Sequence, residues 1–96
     1  MSQLYTNLFN IDVLYLVELA LNTDKESSDE HLLFNFVKIG LTVEQAEKAI
    51  SLRPLYLENK FEQGFSPVFI VFTTKTQCYR YNPDTKLSEP FDFQDK

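Results

Sequence analysis

The stretch Pro67-Val68-Phe69-Ile70-Val71-Phe72-Thr73-Thr74 is apolar at the five consecutive positions that follow its proline. In an extended chain, successive side chains point to opposite sides, so positions 68, 70 and 72 share one face and positions 69 and 71 share the other. A small antiparallel sheet usually buries one face and exposes the other to water. The stretch therefore predicts a strand that needs a cover on both faces, supplied in part by Phe91 and Phe93 or by a second chain.

The residues before this strand have helical spacing. Helices are predicted over 11–22, 29–39, 43–51 and 54–63. Ser28 and Thr42 are suited to cap the second and third helices, and Gln45 completes a capping box with Thr42. Gly40 stands where a helix ends in a left-handed residue. Leu57 and Phe61 are expected to be the buried pair of the fourth helix.

The residues after position 64 alternate as strands do. Tyr79 and Tyr81 share one face of a strand over 77–81, and Asn82-Pro83-Asp84-Thr85 is a typical turn before a short strand over 86–88. The predicted fold is α+β, with three or four N-terminal helices packed on a C-terminal antiparallel β-hairpin or three-stranded meander. Residues 1–96 are expected to form one domain: a helical, acidic part over 1–64, antiparallel β structure over 65–90, and a tail over 91–96.

The charge is concentrated in one part of the chain. The net charge is −5, and residues 1–64 carry ten acidic and five basic residues, whereas later residues balance. Such a surface favours basic partners or imitates a polyanion. No basic leader or membrane-length apolar run is visible, because Val13–Leu21 is too short and contains Glu18. The single cysteine, Cys78, favours a reducing compartment, and we expect a cytoplasmic protein without membrane contact.

The second and third predicted helices have the layout of a helix-turn-helix, and with the hairpin the chain resembles a winged-helix domain. This resemblance implies a DNA-binding transcriptional regulator, the alternative function. The charges oppose it, because the recognition helix would present Glu44 and Glu47 and the wing only Lys75 and Arg80. Direct nucleic-acid binding is therefore not expected, and a winged-helix-like fold used for protein contact is favoured.

Catalytic, metal and cofactor sites are not expected. His31 and Cys78 are single copies of their residue types, whereas a transition-metal site usually needs three or four such ligands. The two glycines do not form a phosphate-binding loop. We expect a protein that is not an enzyme and has no cofactor.

The leading hypothesis is a small acidic protein-binding module, of inhibitor, immunity or regulatory type. It would cover a basic surface of a partner protein, such as a surface that binds nucleic acid. The expected protein-binding residues are the acidic group Asp24, Glu26, Asp29 and Glu30, with Tyr79 and Tyr81 as the apolar anchor. A homodimer through the sheet is compatible with either function.

Overall fold

The computed structural model describes residues 10–93. The residues predicted to be helical before position 10, and the end of the tail after position 93, lie outside this range. Within it the fold is α+β: a group of helices is packed with one C-terminal two-stranded antiparallel sheet. The α+β prediction is therefore confirmed, as a hairpin and not as a three-stranded meander.

The first three helices agree with the sequence prediction because their ends are set by local hydrogen bonds. They are α1 (Ile11–Thr23), α2 (Asp29–Ile39) and α3 (Val43–Ser51). Ser28 accepts a hydrogen bond from the His31 amide at the start of α2, and Thr42 and Gln45 form the full capping box of α3. Gly40 ends α2 with a φ of 135°, in the region that favours glycine.

The fourth helix is shorter than predicted. Helix α4 covers Arg53–Glu58, and the chain is extended at Asn59. This lets Phe61 form an isolated antiparallel bridge with Arg80 and bury its own ring. The expected pair is thus half right, because Phe61 is in the core but Leu57 is exposed.

The predicted strand over 67–74 is wrong, because Pro67–Phe72 forms a fifth helix, α5. Proline is favourable at the first position of a helix, and the Ser66 carbonyl accepts the amides of Phe69 and Ile70 at 2.9 and 3.3 Å. The helix is buried on all sides, since all its residues are buried except Ile70, which is half-buried. The run is therefore apolar on all sides because it is a core helix.

The sheet pairs β1 (Tyr79–Asn82) with β2 (Leu87–Pro90) through the predicted Asn82-Pro83-Asp84-Thr85 turn. The other edge of β1 is occupied by the chain after α4: the Tyr81 amide donates to the Lys60 carbonyl at 2.7 Å, and the Glu62 amide donates to the Tyr79 carbonyl at 2.9 Å. The expected position of a third strand is therefore taken by residues 60–62 and not by 67–74.

All five helices contribute buried residues to the core, together with the connections around them. The Phe61 ring lies edge-on to Phe91, with 5.1 Å between centroids, and Phe93 also packs against the core. Both aromatic residues of the described tail thus cover the body, as expected. Because α5 is buried within one chain, no second chain is needed to cover the stretch 67–74. A homodimer stays a prediction, for which the outer edge of β2 offers a proline, Pro90, without an N–H group.

Between residues 10 and 93, no helix has both the length and the apolar character needed to cross a membrane.

Candidate functional site

A groove of about 450 Å³ lies between α1, the connection from α4 to α5, and the hairpin. Pockets of this size are typical of ligand and side-chain binding sites. Its lining comes from three parts of the chain: Tyr15, Glu18, Leu19, Asn22 and Thr23 of α1; Lys60, Phe61, Glu62 and Gln63 of the connection; and Tyr81 and Ser88 of the hairpin.

Glu18 is the buried charged residue of this groove, with only 2% of its surface exposed. The Gly64 amide donates to both carboxylate oxygens, at 2.9 Å to Oε1 and 3.0 Å to Oε2, and the Ser66 hydroxyl donates to Oε2 at 2.5 Å. These bonds join the middle of α1 to the residues that precede α5. Glu18 therefore positions the loop that leads into α5.

The network continues from Ser66 into the core. The Tyr56 hydroxyl donates to Ser66 Oγ at 2.6 Å and accepts the Val68 amide at 3.0 Å. Tyr56 belongs to α4 and Val68 to the first turn of α5. One chain of hydrogen bonds thus connects α1, α4 and α5, and each buried polar group in it has a partner.

Burial determines the ionisation behaviour of this network. It raises the pKa of Glu18, against the opposing effects of the hydrogen bonds from Ser66 and Gly64 and of the Lys75 charge. Burial also raises the pKa of the Tyr56 hydroxyl. It raises the pKa of the Cys78 thiol to about 12, with a further contribution from the Glu18 charge, so Cys78 is a poor nucleophile.

Gly64 and Lys75 also shape the loop that leads into α5. Gly64 has a φ of +82°, and a Cβ atom there would lie 3.3 Å from the Tyr15 hydroxyl oxygen. The Lys75 ammonium donates to the Gly64 carbonyl at 2.8 Å and lies 4.5 Å from the centroid of the Phe65 ring. Only a glycine fits this position without strain.

Replacing Gly64 by alanine is expected to lower the free energy of unfolding by about 1–2 kcal/mol, because the backbone is left-handed and Tyr15 must move. Urea denaturation measures the difference. The matched control is the same substitution in a Tyr15→Phe background, which removes the hydroxyl oxygen at 3.3 Å and leaves the backbone strain at Gly64 unchanged. An equal loss in the two backgrounds would contradict the role given to the Tyr15 hydroxyl.

The four acidic residues predicted to bind a partner divide into two pairs. The Asp24 carboxylate accepts hydrogen bonds from the Ser27 hydroxyl and amide and from the Glu26 amide, and these bonds lower the pKa of Asp24 to about 2. Asp29 lies 2.8 Å from the buried Arg53 guanidinium, which also donates to the Asp24 carbonyl at 3.2 Å. Asp24 and Asp29 therefore shape the connection between α1 and α2, whereas Glu26 and Glu30 are exposed.

The two predicted anchor tyrosines are also separated. Tyr79 is half-buried, with its ring edge-on to Phe65 and its hydroxyl donating to the Gln77 side chain. Tyr81 is exposed to 39% and lines the groove. Thr23 lines the same groove and directly precedes Asp24, so the groove that Tyr81 lines reaches the end of α1 that leads into the acidic connection.

Glu18 is the residue that the sequence interpretation missed as a site residue. Its spacing from Leu14 and Leu21, four and three positions, places it on the buried stripe of α1 between two fully buried leucines. A charged residue at such a position indicates a buried hydrogen-bond network. This spacing is the signal that could have identified it.

The positively charged residues of the predicted wing form bonds within the protein. Arg80 forms an ion pair with Glu89 at 2.7 Å, and Lys75 is bound to the Gly64 carbonyl. On α3, Glu44 and Glu47 are exposed. Phosphate binding needs available positive charge, so this geometry does not favour the DNA-reading alternative.

In the described part of the chain, no group of three His, Cys, Asp or Glu residues is arranged to hold a metal ion. No protein-family model, no curated protein and no solved structure matches this chain.

Proposed function

We propose that this protein is a small acidic, non-enzymatic protein-binding module, of inhibitor, immunity or regulatory type, that covers a basic surface of a partner protein in the cytoplasm. The observation that carries the proposal is the groove, which is lined both by the exposed Tyr81 and by Thr23 of the last turn of α1, where the chain enters its acidic connection. A partially exposed aromatic anchor next to exposed carboxylates is a typical combination for recognising a basic protein surface.

The shape of the acidic connection supports this proposal. Residues 24–30 are held by the Asp24 turn and by the Arg53 bonds to Asp24 and Asp29. Glu26 and Glu30 are thereby displayed from a segment that is already ordered. Ordering before contact lowers the entropy that is lost on binding, so the same two charges give more affinity.

The apolar surface beside the groove supports it as well. Leu16 and Leu19 of α1 are both more than half exposed, and Leu19 lines the groove opposite the hairpin. Burying one such side chain in an interface contributes about 1.5–3 kcal/mol. A partner that covers the groove therefore gains an apolar contact next to the charged one.

To test the proposal, the immobilised protein is exposed to a lysate of the native host. The proteins that it retains are identified by mass spectrometry. The wild-type chain is expected to retain a basic protein that is released by salt, and the double variant Glu26→Lys, Glu30→Lys is expected to lose it. Asp24 and Asp29 are left intact because they hold the connection. Tyr81→Ala is expected to weaken retention without changing its salt dependence.

The matched control is Glu44→Lys, Glu47→Lys, which makes the same change of charge on exposed positions of α3. It is expected to keep the partner. Equal retention by wild type and by the Glu26, Glu30 variant would contradict the role of these two carboxylates, and failure of the wild type to retain any basic protein would contradict the proposed function. Loss on the α3 control alone, with salt-sensitive binding of duplex DNA by the wild type, would replace it with the DNA-binding function.

A further inference from the structure

Two neutral polar side chains of the groove are already hydrogen-bonded within the protein. The Asn22 amide donates to the Phe61 carbonyl and accepts the Phe61 N–H, both at 3.2 Å. The Thr23 hydroxyl donates to the Leu19 carbonyl at 2.7 Å. These two side chains therefore have little capacity left for a ligand.

The charged residues of the groove have an excess of negative charge. Its described lining contains two carboxylates, Glu18 and Glu62, and one ammonium group, Lys60. Burial raises the pKa of Glu18, which means that the surrounding donors and Lys75 do not fully compensate its loss of hydration. Glu18 is only 2% exposed and already interacts with the Lys75 charge, so the carboxylate of the lining that an incoming cation reaches is the exposed Glu62.

The apolar part of the lining favours a cation that combines a carbon stem with a planar head group. Leu19 is 58% exposed and Tyr81 is 39% exposed, and they come from α1 and the hairpin on the two sides of the groove. A guanidinium group stacks on an aromatic face and binds carboxylates through its planar set of N–H donors. The three-carbon stem of an arginine packs on apolar surface at the same time.

We propose that the groove lined by Leu19, Glu62 and Tyr81, with Glu18 at its base, receives an arginine side chain of the partner protein. The stem lies along Leu19, the guanidinium stacks on Tyr81, and the head reaches the exposed Glu62 carboxylate. This inference rests on the proposed function, because it names the group of the basic partner that the module recognises. The volume of about 450 Å³ is large enough to admit such a group, and the net charge of −5 of the chain favours a cationic one.

A peptide titration of the complete ¹⁵N-labelled chain tests this site. The probe is the acetylated, amidated tripeptide Gly-Arg-Gly, and the control probe is the same peptide with citrulline, a neutral side chain of almost the same shape. The arginine peptide is expected to shift the amide signals of Glu62, Gly64 and Tyr81, with a millimolar dissociation constant. The citrulline peptide is expected to bind about five-fold more weakly, because it has lost the charge.

Two variants test which carboxylate binds the arginine peptide. Glu62→Gln is expected to weaken the arginine peptide about three-fold, whereas Glu30→Gln, the same change outside the groove, leaves binding unchanged. Both residues are exposed, so neither change disturbs the core. Equal binding of the arginine and citrulline peptides, equal binding of a lysine peptide, or shifts confined to residues 24–30 would overturn the arginine site.

Different results would contradict the arginine site and the proposed protein-binding function. Retention of the partner that is lost in the Glu26, Glu30 double variant but unaffected by Glu62→Gln would overturn the arginine site and leave the protein-binding function in place. Arginine binding in the groove, with no basic protein retained by the wild-type chain, would overturn the proposed function and leave the groove as a guanidinium site.

Discussion

Replacing Glu18 by alanine is expected to lower the free energy of unfolding by about 2–4 kcal/mol. The change removes the acceptor of the Gly64 amide and of the Ser66 hydroxyl, and a buried donor left without a partner costs about 1–3 kcal/mol. Removal of a poorly hydrated carboxylate offsets part of that cost. For a domain whose stability is of the order of 5–15 kcal/mol, the remaining loss is large, and urea denaturation followed by circular dichroism measures it.

The matched control is Glu62→Ala, because Glu62 lines the same groove but is exposed. It is expected to change the stability by less than about 0.5 kcal/mol. If the Glu18 variant were as stable as the Glu62 variant, the network from Glu18 through Ser66 to Tyr56 would not hold the fold together.

Glu18 also gives the stability a defined dependence on pH. Its pKa in the fold is raised above the ordinary 4.5, so the folded protein holds this proton more tightly than the unfolded chain does. Stability from this group therefore falls as the pH rises from 4.5 through the raised pKa. Asp24 acts in a separate window, because its pKa of about 2 makes its contribution disappear only as the pH falls below 3.8. Comparison of the wild type with Glu18→Gln over pH isolates the Glu18 slope, and parallel curves would contradict it.

Phe69→Ala is expected to lower the free energy of unfolding by about 3–5 kcal/mol, the usual cost of removing a buried aromatic ring. Phe69 is fully buried in α5, its ring lies 5.0 Å from that of Tyr15, and its carbonyl accepts the amide and hydroxyl of Thr73. The loss of the ring thus leaves a cavity between α1 and α5. Denaturation in urea measures the change.

Ile70→Ala provides the control that separates a helix from a strand. In α5, Ile70 is the half-buried residue, so its truncation is expected to cost only about 1 kcal/mol, less than Val68→Ala, although Ile is the larger residue. In a strand, positions 68 and 70 would lie on the same face and lose similar burial. A larger cost at Ile70 than at Val68 would therefore contradict the helix.

The predictable part of the fold is the part with local signals. Ser28, Gly40 and the pair Thr42 and Gln45 make hydrogen bonds to backbone groups within three or four residues, so the ends of α2 and α3 could be predicted from the sequence alone. The turn at Asn82 has the same property, since its side chain accepts the Asp84 amide two positions later.

The unpredictable part depends on distant contacts. The run from Val68 to Phe72 has residue types that are common in strands, and a short apolar run in the core does not reveal its period. It becomes helical in a core where α1 packs against it and Tyr56 of α4 accepts the Val68 amide, a case in which packing overrides propensity. For the candidate site, Tyr81 could be found as an exposed aromatic. The structural role of Asp29 depends on Arg53, which lies 24 positions later, whereas the Asp24 carboxylate is held by Glu26 and Ser27, only two and three positions away.

The bonds between Glu18 and residues 64 and 66 have a consequence for the order of events during synthesis. They span 46 and 48 positions of the chain, so α1 leaves the ribosome well before its buried carboxylate has any of these partners. At ordinary translation rates this interval lasts several seconds. Through that time the apolar sides of α1 stay uncovered by α5, and the nascent protein passes through a period in which chaperones can bind it before its fold closes.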